Sequence, residues 1–324
     1  MKLKKYNEYS WKQNSTVDDK IIYNYGDYKS EYGDKPEPPK KENKFDYEID
    51  RLDHNHNNFY EIMDMKKLPK GIKQLYCSGF NLTRLPELPD TLEELNCSDN
   101  DLTKLPKLPN SLKRLDFDSN FIKNIAALPE SLEYLSCINN ELTKLPKLPE
   151  SLEIIFCRSN KLTKLPELPN KLTKIDCSDN TLIELPKLPE SLVNLYCNNN
   201  NMFGLPELPN SLRELYCSYN RLYSLPKLKY LRILDCSGSH ISELPEIPKS
   251  LRTLKCENSK LWYIPQLPSN IQDLQCGHNK ELSYANLLQY RKWCKENADL
   301  IKQYGHKGAA EQLRAIKAGS QYNL

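Results

Sequence analysis

The chain is poor in apolar residues, in glycine and in net charge. Hydrophobic residues make up 39% of its 324 positions, below the roughly 45–50% that is typical of a globular domain. Glycine occurs only ten times, and no glycine-rich loop of the kind that binds phosphate groups is present. The net charge of +3 predicts no general attraction to nucleic acid. These deficits disfavour a single compact globule, a phosphate-loop enzyme and a nucleic-acid-binding protein.

Long apolar runs and histidine clusters are also missing. No run approaches the roughly 18 apolar residues that a membrane span needs, so we expect no integral membrane protein. No apolar stretch follows the basic segment Met1–Tyr6, so we expect no secretory signal. The five histidines form no catalytic constellation, and the pair His54 and His56 lies in a polar segment that we interpret as solvated. The sequence therefore predicts no enzyme, no metal site and no cofactor.

Leucine and proline are abundant instead, and they recur with a fixed spacing of 20 residues. Leu92–Ser111 reads LEELNCSDNDLTKLPKLPNS, and Leu132–Ser151 reads LEYLSCINNELTKLPKLPES. Eleven such units run through residues 72–282, and the register slips by one residue at Leu228–Tyr230. A period of this length indicates a solenoid of stacked repeats.

Each unit predicts one strand and one extended return segment. The alternation in Leu95-Asn96-Cys97 has the period of a strand, and successive copies would stack in parallel about 4.8 Å apart. Prolines in the L-P-x-L-P segment disfavour helix there. We therefore predict an α/β repeat solenoid with a curved parallel sheet on the concave side. Its convex segments would be extended or polyproline-like, and helical caps would close both ends.

Two columns of polar or thiol side chains follow from the repeat. An Asn lies three residues after the Cys position in most units, where its amide can pair with unsatisfied turn backbone. Phe80, Ser239 and Ser259 replace it, and we expect the ladder to be weakest at the two adjacent serines. Ten of the eleven cysteines share one position, and Phe117 occupies it in the remaining unit, which indicates a core of reduced thiols. Such a column predicts a reducing compartment, the cytoplasm.

The unit L-x-x-L-x-C-x-x-N-x-L-x-x-L-P-x-L-P-x-x resembles the leucine-rich repeat in its shortest bacterial-type form. It is similar to the repeats of secreted bacterial effectors of the YopM and IpaH kind. The cysteine column and the N-terminal segment rich in Lys, Asn and Tyr make it similar to leucine-rich repeat proteins of giant, mimivirus-like DNA viruses. The IpaH-like resemblance would imply a C-terminal ubiquitin ligase with a Cys-x-Asp motif. Cys294-Lys295-Glu296 departs from that motif, so ligase activity is not carried over.

Four segments are predicted along the chain. Residues 1–44 form a disordered tail that ends in a proline-rich linker, and residues 45–71 form a helical N-terminal cap. Residues 72–282 hold the eleven repeats. Residues 283–324 form a helical C-terminal cap, which contains Cys294, the one cysteine outside the column.

The concave side is the predicted binding surface, because exposed apolar side chains there are not needed for the core. The predicted partner-binding residues are Phe121, Tyr134, Ile138, Ile154, Phe156, Tyr196, Tyr216 and Tyr219, flanked by Asp116, Asp118, Asp176 and Asp179. The alternative is that these are good strand formers that pack laterally on each other.

The functional prediction is a monomeric, non-enzymatic module that binds a host or viral protein, with no nucleic acid and no membrane as partner. Its expected location is the cytoplasm, or the host cytosol if the protein is viral. One alternative is a substrate-reading component of a ubiquitin-transfer complex. The other is a structural component of a virion.

Overall fold

A computed structural model describes residues 50–53, 59–64, 66–280, 282, 292 and 295. In this part of the chain, twelve short strands form one parallel sheet in sequence order. The elements are β1 (Arg51–Leu52), α1 (Phe59–Asp64), β2 (Gln74–Tyr76), β3 (Glu94–Asn96), β4 (Arg114–Asp116), β5 (Tyr134–Ser136), β6 (Ile154–Phe156), β7 (Lys174–Asp176), β8 (Asn194–Tyr196), β9 (Glu214–Tyr216), β10 (Ile233–Asp235), β11 (Thr253–Lys255) and β12 (Asp273–Gln275). The predicted parallel solenoid of about eleven turns is confirmed.

The register of the sheet repeats the spacing of the sequence. Leu95 pairs with Leu115, and the other strands keep the same 20-residue step. Between β9 and β10, Glu214 pairs with Ile233, which is a step of 19 residues. The shortened unit is therefore absorbed in its return segment, and the side chains of β10 keep their orientation.

The core consists of the inward strand positions. Leu95 and Cys97 are buried while Asn96 between them is partly exposed, and this pattern recurs in the other units except those of β4 and β5, where Asp116 and Ser136 are buried as well. The ten column cysteines are all buried and free of disulfide bonds. Burial raises the pKa of the Cys77 thiol to about 12, and it raises the pKa of Cys137 and Cys157 as well. The predicted column of reduced core thiols is confirmed.

The asparagine ladder connects neighbouring turns. Asn160 Oδ1 accepts a hydrogen bond from the Leu142 N–H at 3.0 Å, and its Nδ2 donates to the carbonyls of Cys137 at 2.8 Å and Cys157 at 3.2 Å. The same pattern holds for the other ladder asparagines, Asn100, Asn120, Asn140, Asn180, Asn200, Asn220 and Asn279.

The two serine positions interrupt this ladder, as predicted. Ser239 Oγ is buried and has no hydrogen-bond partner among the described residues. Ser259 Oγ reaches the carbonyls of Cys236 and Glu257 only at 3.5 and 3.3 Å. The serine hydroxyl is too short to span two turns in the way that the asparagine amide does.

The N-terminal end of the sheet is covered by short elements. β1 adds a strand that pairs in parallel with β2, which was not predicted. Leu52, Phe59 and Ile62 are buried, and the Phe59 ring lies 4.8 Å from that of Phe80. Phe80 thus replaces a ladder asparagine where the first turn needs an apolar contact.

The predicted terminal segments are only partly visible. α1 is the only helix of several residues in the described part, so a fully helical cap over residues 45–71 stays a prediction. Residues 1–44 lie outside the described residues. The predicted C-terminal cap, residues 283–324, also lies outside them except for Lys292 and Lys295, whose backbone is helical. Residues 66–280 contain no helix. The return segments in this range are therefore not helical, which agrees with their predicted extended form.

Candidate protein-binding face

The first and third residues of each strand point away from the core, and we call this surface the strand face. It corresponds to the predicted concave side. Most of the predicted partner-binding residues lie on it, and all of these are half-buried except Asp116, which is buried. They are Tyr134 on β5, Ile154 and Phe156 on β6, Tyr196 on β8 and Tyr216 on β9, with Asp116 on β4 and Asp176 on β7.

Aromatic and cationic side chains form a continuous row across this face. The Arg114 guanidinium lies 3.6 Å from the centroid of the Tyr134 ring. Tyr134 meets Phe156 edge to face at 5.8 Å. The Lys174 ammonium lies between the Phe156 ring, at 5.3 Å, and the Tyr196 ring, at 5.5 Å. Tyr196 and Tyr216 stack with centroids 4.8 Å apart and an interplanar angle of 10°. We call this row the aromatic ladder: Arg114, Tyr134, Phe156, Lys174, Tyr196 and Tyr216.

A carboxylate holds the Tyr196 side chain of the aromatic ladder in place. The Tyr196 hydroxyl donates to Glu214 Oε2 at 2.9 Å. Burial, and then the Glu214 charge, raises the pKa of Tyr196, and burial followed by Glu214 raises the pKa of Tyr216 to about 12. Both phenols are therefore neutral near pH 7, and their rings are held in place before any partner binds.

Asp116, which is buried, and Asp118, which is half-buried, form a pair of carboxyl groups beside the ladder. Ser98 Oγ donates to Asp116 Oδ1 at 2.5 Å, and Ser136 Oγ donates to Asp118 Oδ1 at 2.7 Å. Burial, and then the charge of Asp116, raises the pKa of Asp118 to about 7. Burial also raises the pKa of Asp116. The raised pKa brings the titration of Asp118 into the neutral range.

Asp179 and Tyr219 lie in the turn after the strand rather than on the strand face. Their φ angles are 53°, and the equivalent turn residues in most units share this left-handed conformation. Asp is common there because a short polar side chain tolerates it. Asp179 accepts hydrogen bonds from Arg158 Nε at 2.7 Å and from Asn199 Nδ2 at 2.8 Å. The turn conformation and these bonds are enough to explain an aspartate at this position.

Tyr219 is an unusual occupant of that position because its side chain is bulky. Its ring covers Gly238, where an added Cβ would lie 2.7 Å from Tyr219 Cδ1. The side chain is nevertheless 59% exposed. Tyr219 stays a predicted partner-binding residue.

The remaining two predicted residues lie away from the aromatic ladder. Phe121 is on the loop after its unit's asparagine and is exposed. Ile138 follows β5, and its N–H donates to Asp118 Oδ1 at 2.6 Å. The structure thus brings together Tyr134, Phe156, Tyr196 and Tyr216, but it does not bring Phe121 to them.

A second apolar surface was missed by the sequence reasoning. Four large side chains at one position of units six, seven, eight and ten are 48–60% exposed. Arg221 lies 5.9 Å from the ring centroid of Phe203, and His240 lies 5.7 Å from that of Tyr223. The sequence held a signal, since the same position is Thr in most of the first five units. We call this surface the flank stripe: Ile183, Phe203, Tyr223 and Trp262.

Metal-ligand clusters and membrane-spanning helices are both absent from the described residues. No group of three or more His, Cys, Asp or Glu side chains there could hold a metal ion. None of the helices in that part of the chain has the length and apolar character to cross a membrane.

Comparison with solved structures identifies the fold family. YopM from Yersinia enterocolitica WA-314 is 35% identical with a TM-score of 0.58, and the match covers 66% of this chain and 53% of that one. YopM from Yersinia pestis, a leucine-rich effector protein, is 35% identical with a TM-score of 0.55, over 65% of this chain and 70% of that one. The chain belongs to the leucine-rich repeat family.

This leucine-rich repeat chain is also similar to the functional domain of InlJ from Listeria monocytogenes, which includes a cysteine ladder. The two are 26% identical with a TM-score of 0.56, and the match covers 66% of this chain and 50% of that one. The chain spans about half the length of this InlJ functional domain and of the Y. enterocolitica YopM. No protein-family model matches it, and no curated protein matches it. The resemblance to giant-virus repeats stays a prediction.

Proposed function

We propose that this leucine-rich repeat protein is a non-enzymatic module that binds a protein partner on its strand face through the aromatic ladder. The observation that carries the proposal is the ordered contact from Arg114 through Phe156 to Tyr216. Aromatic and arginine side chains dominate binding energy at protein interfaces. Because these rings already pack on each other, little side-chain entropy is lost when a partner binds.

The family supports an interaction role, since the Y. pestis relative is a leucine-rich effector protein. We extend this to a monomer that binds a host or viral protein in the cytoplasm. Burial protects the column thiols from oxidation in any compartment. The thiol column is therefore compatible with the cytoplasm but does not require it.

Affinity purification with mass spectrometry tests the proposal. The wild-type chain is compared with the double variant Phe156→Asp/Tyr196→Asp, which places two carboxylates in the ladder. The matched control is Phe203→Asp/Tyr223→Asp, which makes the same chemical changes on the flank stripe. Circular dichroism of all three checks that the fold is kept.

The proposal expects specific partners that are lost with the ladder variant and kept with the flank control. Loss of the partners with the flank control alone would indicate that the binding site is the flank stripe and not the aromatic ladder. The identity of the partners also separates the two alternatives, since ubiquitin-transfer enzymes would indicate a substrate reader and particle proteins would indicate a virion component.

A further inference from the structure

Three consecutive units carry arginine at the position just before the strand. These are Arg213, Arg232 and Arg252, and they precede β9, β10 and β11. The Arg232 N–H donates to the Arg213 carbonyl at 2.8 Å, and the Arg252 N–H donates to the Arg232 carbonyl at 2.8 Å. The three residues therefore lie directly above one another at about the 4.8 Å spacing of paired strands. We call them the arginine edge.

The arginine edge concentrates three positive charges on neighbouring turns. None of the three arginines forms an ion pair with any residue of the described segments. At the same repeat position in an earlier unit, Lys113 is paired with Glu93 at 2.8 Å. Exposed Lys229 and Lys249 lie on the loops that lead into β10 and β11. Like charges at this spacing repel each other, so an anion that bound here would relieve the repulsion.

Two of the guanidinium groups are held in place by the backbone. Arg213 Nη1 donates to the carbonyls of Asn210 at 2.8 Å and Leu212 at 3.1 Å. Arg252 Nη1 donates to the carbonyls of Lys249 at 3.2 Å and Ser250 at 3.1 Å. Their Nε and Nη2 donors make no hydrogen bond to the described residues. These donors remain for a ligand, and a fixed guanidinium binds a carboxylate with two parallel hydrogen bonds.

We propose that the arginine edge is a second binding site, separate from the aromatic ladder, for an acidic peptide segment of a protein partner. The neighbouring strand positions hold the acids Glu214 and Asp273. They confine the positive surface to a narrow edge, which suits a short run of carboxylates and disfavours a nucleic-acid strand lying across the face. The proposed partner segment is extended, so that its alternate acidic side chains face the edge.

Fluorescence anisotropy tests this site. The probe is a fluorescein-labelled peptide of alternating Glu and Ser, with a peptide of alternating Gln and Ser as its neutral control. The variant is Arg213→Gln/Arg232→Gln/Arg252→Gln. The matched control, Lys104→Gln/Lys144→Gln/Lys164→Gln, removes the same charge from three exposed lysines of earlier units.

The wild type and the lysine control are expected to bind the acidic peptide, and the arginine variant to lose about tenfold or more in affinity. No wild-type binding, equal loss in the lysine control, or equal competition by an oligothymidine of the same charge would each overturn the proposal. The variant Phe156→Asp/Tyr196→Asp is expected to bind the acidic peptide as the wild type does. The proposals for the arginine edge and for the strand face can therefore be refuted independently.

Discussion

At the residue scale, the ten column cysteines are all buried, one in each unit except the unit of Phe117. Their raised pKa follows from burial, so the reactive thiolate is scarce in the folded chain. We expect the ten column cysteines to resist iodoacetamide in the native protein and to react fully in denaturant. Peptide mapping by mass spectrometry reads each position separately. Rapid native labelling of Cys137 or Cys157 would contradict the account.

The Asp116–Asp118 pair predicts a stability that depends on pH. Folded Asp118 keeps its proton up to about pH 7, whereas an unfolded Asp releases it near pH 4. Folding therefore takes up a proton in this window, and the stabilisation from it is lost as the pH rises through 7.

From about pH 5 to about pH 8, the free energy of unfolding of the wild type should fall by on the order of 2 kcal/mol more than that of Asp118→Asn. Urea titrations at several pH values measure this. Asp101→Asn, at an exposed position, is the control and should follow the wild type. Parallel pH profiles for the wild type and Asp118→Asn would refute the prediction.

At the scale of the element, the asparagine ladder has one repairable gap. Ser239→Asn/Ser259→Asn restores the residue that bridges turns elsewhere. It replaces the Ser239 hydroxyl, which is unpaired among the described residues, and the long Ser259 hydrogen bonds by amide contacts of the kind that Asn160 makes. We expect a gain of about 1 kcal/mol for each site, seen as a higher thermal midpoint by calorimetry. Ser224→Asn, an exposed serine in a nearby unit, should change little. An unchanged or lower midpoint in the double variant would show that the gap is not a weak point.

The elements that could be predicted are those fixed by contacts that repeat in each unit. The register of β2 to β12, the thiol column and the asparagine ladder all follow from one 20-residue period. β1 could not be predicted, because residues before the first unit carry no period. Sequence reasoning named the four aromatic members of the ladder as partner-binding residues, but it did not name Arg114 or Lys174. The ladder contacts run straight across neighbouring strands between Tyr196 and Tyr216 and diagonally between Phe156 and Lys174. They depend on side-chain rotamers, which the 20-residue period does not specify.

At the scale of the whole molecule, three surfaces differ in chemistry. The strand face carries the aromatic ladder, the flank stripe is apolar, and the arginine edge is cationic. The flank stripe and the arginine edge were not predicted from the sequence. Both lie outside the strand positions, which supplied most of the predicted binding residues. Each is visible in the sequence once the units are aligned by repeat position.

The most direct test of the central claim is the affinity of a captured, purified partner, measured by isothermal titration calorimetry. Phe156→Asp/Tyr196→Asp should weaken binding by about a hundredfold or more, since truncating a hot-spot residue costs about 2 kcal/mol or more. Phe203→Asp/Tyr223→Asp should stay within about threefold of the wild type. Wild-type affinity in the ladder variant, with its fold intact, would contradict the assignment of the strand face as the binding surface.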